Sequence, residues 1–300
     1  MATLPADTLA ALLAGPVPPL LLQVTTPESW ESKRLPGSHC ACVYEMTFLE
    51  TVHRLCPDRS AAVVVYGAGR PWLESTAAFE KLTAVGYSAV TDFTGGLAAW
   101  EAAGLPLEGT GHPPASPTFD GIWNADATSS VIRWTGSNPF NFHEGTLKLH
   151  DGTFEIAGGS LIKASFTIDL GSIACSDLAD PTLNALLLRH LADRDFFETA
   201  RYPEAVFTAT AARPIPDVTP GLPNYRIEGN FTVRGVTQPI VIPALIALNP
   251  EGQLTAQAYL EIDRTRWGIN YGSGRLFAWL GKHVVNDHVA LHLILHATRA

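Results

Sequence analysis

From Phe119 to the end of the chain, apolar side chains recur at every second position. Val131, Arg133 and Thr135 alternate with Ile132 and Trp134. Ile162, Ala164, Phe166, Ile168 and Leu170 alternate with Leu161, Lys163, Ser165, Thr167 and Asp169. The same rhythm returns at Leu254–Ile262 and at Val289–Leu295. A period of two is that of a strand with one face buried. Several such strands, separated by glycine turns, predict a sandwich or a closed barrel. The main interruption is Asp180–Asp195, where Leu183, Leu186, Leu187 and Leu191 fall at helical spacing. A barrel of about eight strands can hold one small ligand. An amphipathic helix here could close its mouth.

The first third has another rhythm. Helical spacing at Leu9, Leu12 and Leu13 precedes an apolar run at Leu20–Val24, and a stronger run, AAVVVY, spans Ala61–Tyr66. Continuous β-branched runs predict strands buried on both faces of a parallel sheet. Ser75–Val85 places Ala78, Leu82 and Val85 on one helical face, stopped by Gly86. A strand near Ala89–Val90 and a short helix ending at Gly104 follow. GTGHPPASPT, at Gly109–Thr118, has no periodicity and reads as an extended linker. The expected organisation is a domain at 1–109, a linker at 110–118 and a second domain at 119–300.

Over 300 residues the chain is 46% hydrophobic and 16% charged, which excludes disorder and leaves much apolar surface to bury. A net charge of −9 with scattered basic residues argues against nucleic acid as a partner. The apolar N-terminus is broken by Asp7, Pro16, Pro18 and Pro19 and lacks a positively charged start, so no membrane span and a cytoplasmic location are expected. Cys40, Cys42, Cys56 and Cys175 form neither a disulfide framework nor a Cys-x-x-Cys pair.

The first domain resembles the rhodanese family through Leu35-Pro36-Gly37-Ser38, the strand VVVY, the helix start at Ser75 and the run from Gly95 to Gly109. A rhodanese needs a thiolate directly after that strand, cradled by backbone N–H groups that lower its pKa. Here that position is Gly67, and the degenerate loop carries Gly69, Arg70 and Trp72 before Ser75. The resemblance therefore implies a folded but inactive module. The alternative is a sulfur-transfer or thiol redox protein using Cys40 or Cys42 with a lipid-soluble substrate.

The second domain resembles the YceI-like family. Its pattern is matched by Trp123-x-x-Asp126 with Ser129, His143-x-Gly145, and Phe166-x-Ile168-Asp169 with Ser172-Ile173. HLADRDFFETARYPEAVF at His190–Phe207, EGNFTVRGVTQPI at Glu228–Ile240, DRTRWGI at Asp263–Ile269 and the closing Asn286–Ala297 complete it. The resemblance implies a lipocalin-like barrel that encloses an isoprenoid, a quinone or a similar long-chain lipid without catalysis. Many members of that family are secreted, and this N-terminus departs from them. The fold class expected is thus an α/β rhodanese-like domain followed by an all-β, lipocalin-like antiparallel barrel with a helical lid.

On this reading the ligand walls are Trp134, Phe140, Phe142, Phe166, Ile168, Phe207, Phe231 and Trp267. Leu186 and Leu187 come from the lid, and Phe196 and Phe197 plug its end. His143 and Arg266 are the polar residues expected to meet a head group. The same apolar side chains could instead fill an ordinary core. No cofactor is expected beyond a bound polyprenyl lipid or quinone. A homodimer through the barrel domain is compatible with this reading, as is an assembly scaffold with a filled barrel.

A metal centre is not expected. His292 and His296 share a strand face, but four residues of strand span about 13 Å, too far for one ion with bonds of about 2 Å. His143 with His150, and His283 with His288, could approach across hairpins, but no tight ligand cluster is visible. Asp193, Arg194 and Asp195 read as a solvated helix end. Gly67-x-Gly69 lacks the third glycine of a dinucleotide fingerprint.

Overall fold

The computed structural model describes residues 4–112, 119–249 and 251–300. The chain divides into two compact units, Met1–Ser116 and Pro117–Ala300. Of the expected linker, 113–118 lie outside the described residues. Its first residues are tied back to the first unit, where the Thr110 N–H donates to Glu31 O (3.0 Å) and the Gly111 N–H to Ser32 O (3.1 Å).

The first unit is an α/β layer. Strands β1 (Leu20–Gln23), β2 (His39–Cys40), β3 (Val63–Tyr66) and β4 (Val90–Phe93) form a parallel sheet in the order β2-β1-β3-β4. Its helices are α1 (Ala6–Leu13), α2 (Pro27–Ser32), α3 (Phe48–Leu55), α4 (Glu74–Ala84) and α5 (Gly96–Ala102). All four β3 residues are buried. Val63 and Val65 pack with Phe48, Val52, Ala78 and Leu82 on one face, and Val64 and Tyr66 pack with Leu9, Phe93 and Trp100 on the other. That division is why the run has no polar alternation. α4 begins at Glu74, one residue before the expected start, and Ser75 is buried within its first turn.

The second unit is a barrel of antiparallel strands. Strands β5 (Gly121–Ala125) and β6 (Val131–Ser137) together make one stave. Both pair with β7 (Phe142–Ala157) and with β13 (His288–Arg299), at different heights. Asp126 turns the chain between them, accepting hydrogen bonds from the Thr128 N–H and the Ser129 hydroxyl (both 2.8 Å). The circuit continues through β8 (Ser160–Cys175), β9 (Glu204–Pro214), β10 (Tyr225–Val233), β11 (Val236–Leu248) and β12 (Leu254–Asp263). The pairing of β12 with β13 closes it, giving eight staves. Helix α6 (Pro181–Ala192) lies between β8 and β9. Its start is set by Pro181 at the first helical position and by Asp180, whose carboxylate accepts from the Thr182 and Leu183 N–H groups (2.8 and 3.1 Å).

The inward faces follow the sequence alternation except where the register slips, at three points between β7 and β8 and at one between β9 and β10. A register irregularity between Glu155 and Ile156 turns Leu161 inward and leaves Ile162 exposed, while Ala164, Phe166, Ile168 and Leu170 face the interior as expected. Among the described residues no helix is long and apolar enough to cross a membrane.

Candidate functional site

A cavity of about 280 Å³ occupies one end of the barrel. Protein interiors seldom leave voids larger than a water molecule, so a hollow of this size is not ordinary core packing. Its walls come from inward strand positions: Trp134, Leu147, Ile168, Leu170, Ala205, Phe231, Val233, Ile262 and Leu291. α6 contributes Leu187, His190 and Leu191, and the segment after it adds Phe196 and Phe197. The connection from β12 to β13 contributes Arg264, Trp267, Ile269 and Tyr271.

The lid is held by an aromatic cluster. The His190 ring lies edge-on to Phe196 (5.0 Å between centroids) and to Tyr271 (4.6 Å), and Phe196 and Tyr271 are 5.4 Å apart. Only Leu191 of α6 is itself buried. Trp267 is 1% exposed, with its indole N–H donating to Phe231 O (2.9 Å) and its ring edge-on to Phe231 (5.7 Å).

Several expected wall residues lie elsewhere. Phe140 and Phe142 sit where the β6–β7 hairpin leaves the barrel, 77% and 53% exposed, because the strand pair has run past the core there. Phe166 and Phe207 do point inward, but they stack on each other (5.0 Å) in the packed part of the barrel, outside the cavity lining. Leu186 is on the outer side of α6, lining a shallow groove with Leu178 and Leu183. Arg266 also misses the cavity: its guanidinium donates to Pro239 O (2.8 Å) and lies over the Trp267 ring (5.3 Å).

The arginine that reaches the cavity is Arg264, which sequence reasoning did not single out. Arg264–Trp267 is a 3-10 turn, in which residues three apart share a side. Arg264 and Trp267 therefore go in together while Arg266 goes out. Arg264 donates to Asn286 O (3.0 Å), Ile269 O (2.5 Å) and Val285 O (3.1 Å), and faces Asp287 at 3.7 Å. Burial lowers its pKa, opposed by the nearby Asp287 and Asp263 carboxylates. Three of its five N–H groups donate to backbone carbonyls, so it fastens the β12–β13 connection over the cavity.

His143 lines both the cavity and the outer groove, which marks the place where the two meet. Its Nδ1–H donates to Asp177 Oδ2 (2.8 Å). Asp177 Oδ1 accepts from the Glu144 N–H (2.9 Å) and from the Cys175 thiol (3.1 Å). Burial tends to raise the Asp177 pKa, but these hydrogen bonds outweigh it and hold the carboxyl down at about 2. Gly145 makes the cluster reachable: a Cβ there would lie 1.7 Å from Ala174 O, so only glycine lets β7 approach β8 this closely. The expectation that no ligand cluster exists is corrected here, since His143, Cys175 and Asp177 offer three donor atoms within 4.8 Å of one another. Their meeting depends on cross-strand register, which spacing within one strand does not show. The other pairings weighed from sequence behave differently: His143 and His150 share the single strand β7, and His150 faces Glu204 at 3.3 Å.

In the first unit, the loop after β3 is occupied by its own side chain. Glu74 is buried, and its carboxylate accepts from the Ala68 N–H (2.7 Å). A Cβ on Gly67 would meet Glu74 Cγ at 2.3 Å. Arg70 and Trp72 are exposed at the loop's crown, and Gly69 packs against Gly95 and Gly96. Cys40 lies at the end of β2, where burial, then Cys42 and neighbouring glutamates, push its thiol up to about 11.

A closed antiparallel barrel around a lidded apolar hollow is the lipocalin-like class of architecture, here preceded by an α/β unit. The chain belongs to the YceI-like family: the YceI-like domain matches residues 123–297, and a rhodanese-like domain matches residues 5–103. Among curated relatives, a UPF0312 protein of Pseudomonas savastanoi pv. phaseolicola is 32% identical over 38% of this chain and 53% of its own length. The chain thus spans about half the length of that relative. Among solved structures, Burkholderia cenocepacia BcnA is 25% identical, with a TM-score of 0.46 over 58% of this chain and 99% of that one. A polyisoprenoid binding domain from Saccharophagus degradans, implicated in plant cell wall breakdown, is 18% identical, with a TM-score of 0.44 over 59% of this chain and 98% of that one.

Proposed function

We propose that the barrel binds a long-chain apolar ligand (an isoprenoid, a quinone or a fatty-acid-like molecule) without transforming it, and that the rhodanese-like unit is a non-catalytic interaction or stability module. The observation that carries the first half is the cavity itself, about 280 Å³ and walled almost wholly by apolar side chains. Burying about ten methylenes there is worth roughly 8 kcal/mol before the costs of binding. A chain of about fifteen or more carbons, worth roughly 12 kcal/mol gross, could thus reach micromolar affinity without a charged anchor at the lower association cost of about 4 kcal/mol. Arg264, the one guanidinium at the wall among the described residues, already commits three of its five N–H groups to protein carbonyls.

The second half rests on Gly67 at the position where the family resemblance requires a thiolate, and on Glu74 filling the space around it. Cys40 does not replace the missing nucleophile, because a thiol with a pKa of about 11 is almost wholly protonated near neutrality. Organic extraction of the natively purified full chain, followed by mass spectrometry, tests the ligand reading. A polyprenyl, quinone or fatty-acyl species should be recovered at close to one per chain. Absence of any such species, together with no uptake of added long-chain probes by the delipidated protein, overturns it.

A further inference from the structure

We propose that His143, Cys175 and Asp177 form a binding site for a zinc-type divalent cation at the rim of the barrel, beside the cavity. One nitrogen of His143, Sγ of Cys175 and a carboxylate oxygen of Asp177 all lie within 4.8 Å of one another, and the two shortest separations are 2.8 Å (His143 Nδ1 to Asp177 Oδ2) and 3.1 Å (Cys175 Sγ to Asp177 Oδ1). A tetrahedral zinc ion with bonds of about 2.0–2.3 Å has donor-to-donor edges of roughly 3.3–3.6 Å. Both separations fall short of that range and end on different oxygens of the carboxylate, while the three donors stay within 4.8 Å, so the groups would open by less than about 1 Å to seat an ion.

The donor set selects the metal. A thiolate and an imidazole favour zinc over magnesium or calcium, which take oxygen ligands. Three protein ligands with a fourth position left to water or another oxygen is the open pattern of zinc sites rather than the closed structural one.

The scaffold is fixed in advance. Cys175 pairs directly opposite Gly145, two residues from His143 on the same strand, and the Glu144 N–H holds the Asp177 carboxylate. The side chains of His143 and Asp177 are 27% and 20% exposed, sheltered but still reachable by an ion. Without metal the same atoms hydrogen-bond to one another. Binding therefore sends the Cys175 thiol proton to solvent, and where Nδ1 is the ligand the neutral His143 ring carries its proton on Nε2 instead, with no net release. This site is independent of the ligand reading above, because the apolar walls stand without it.

Cobalt(II) titration of the full chain reads the site directly. One equivalent should give a sulfur-to-cobalt charge-transfer band, and zinc should abolish that band by displacement. Cys175→Ser should remove the band while leaving the thermal melt unchanged. His143→Ala should weaken cobalt binding by more than the roughly 10–100-fold that loss of an outer-shell partner costs. Cys40→Ser and Cys42→Ser, in the other unit, should leave the band intact. A band that survives Cys175→Ser, or no cobalt or zinc binding at one equivalent in the micromolar range, overturns the proposal.

Discussion

Ala205 is the sharpest probe of whether the barrel is hollow. It sits on β9 opposite Ile168, is 1% exposed, and lines the cavity with no side chain beyond Cβ. Ala205→Leu adds three carbons. If they enter unfilled space, their burial is worth about 2 kcal/mol. If the interior is already packed, the same carbons force overpacking and cost about 1–3 kcal/mol. The two cases differ in sign. For a unit of this size 1 kcal/mol moves Tm by roughly 2–4 °C. Thermal melts of delipidated wild-type and variant chains, followed by circular dichroism, should therefore show the variant melting several degrees higher. Uptake of a fluorescent fatty acid should fall in the same variant, because the added side chain occupies ligand space. A lower melting temperature with undiminished uptake would refute the reasoning.

Further outcomes follow from the other clusters. Gly67→Cys should not confer sulfur transfer from thiosulfate to cyanide. Its Cβ would lie 2.3 Å from Glu74 Cγ, and the variant should lose about 1–3 kcal/mol in urea melts. Gly67→Cys combined with Glu74→Ala should relieve the clash but lose the Ala68 hydrogen bond, so stability returns only in part. Arg264→Ala should cost about 3 kcal/mol or more, since it leaves three carbonyls without donors and Asp287 with Arg275 (3.6 Å) as its remaining cation, and chemical denaturation of the barrel measures it. The Asp177 carboxyl falls from 3.8 to about 2 on folding, so the charged form is favoured in the folded state. Its contribution is complete above the unfolded value and is lost as pH drops from about 4 to about 2. Asp177→Asn should therefore flatten the urea midpoint across that window and leave the rest of the pH profile alone.

Much of the fold is legible in the sequence, and much of the site is not. Strand alternation shows which side chains face inward, because the pleat fixes it at every second residue. It does not show how far along the barrel each one sits. Phe166, Ile168 and Leu170 share one inward face, yet the first lies in packed core and the other two line the cavity. Helical spacing finds α6 but not which leucines point down: Leu187 and Leu191 reach the cavity, while Leu186 looks outward. The 3-10 turn that exchanges Arg264 for Arg266 has no periodicity to read over its four residues. Cys175 and Asp177 meet His143 only through cross-strand register, which a chain read in one direction does not contain.

The two units treat empty space in opposite ways. At roughly 24 cal/mol per Å³, a hollow of about 280 Å³ would cost about 7 kcal/mol if it were sealed and dry, comparable to the whole stability of many domains, and less where water enters. Selection for folding alone would fill it, as the first unit fills its own loop with the Glu74 carboxylate. There the cradle's Ala68 N–H is satisfied from within, and the position that would carry chemistry is Gly67, with no side chain to offer. In the barrel, large side chains crowd the far end, Phe166 against Phe207, while Ala205 and Val233 stay small beside the hollow. Larger residues at those two positions would narrow the space. The small size of Ala205 and Val233 leaves room under a lid that buries only Leu191 of its own helix, and on the proposed function a bound guest would add stability there by mass action.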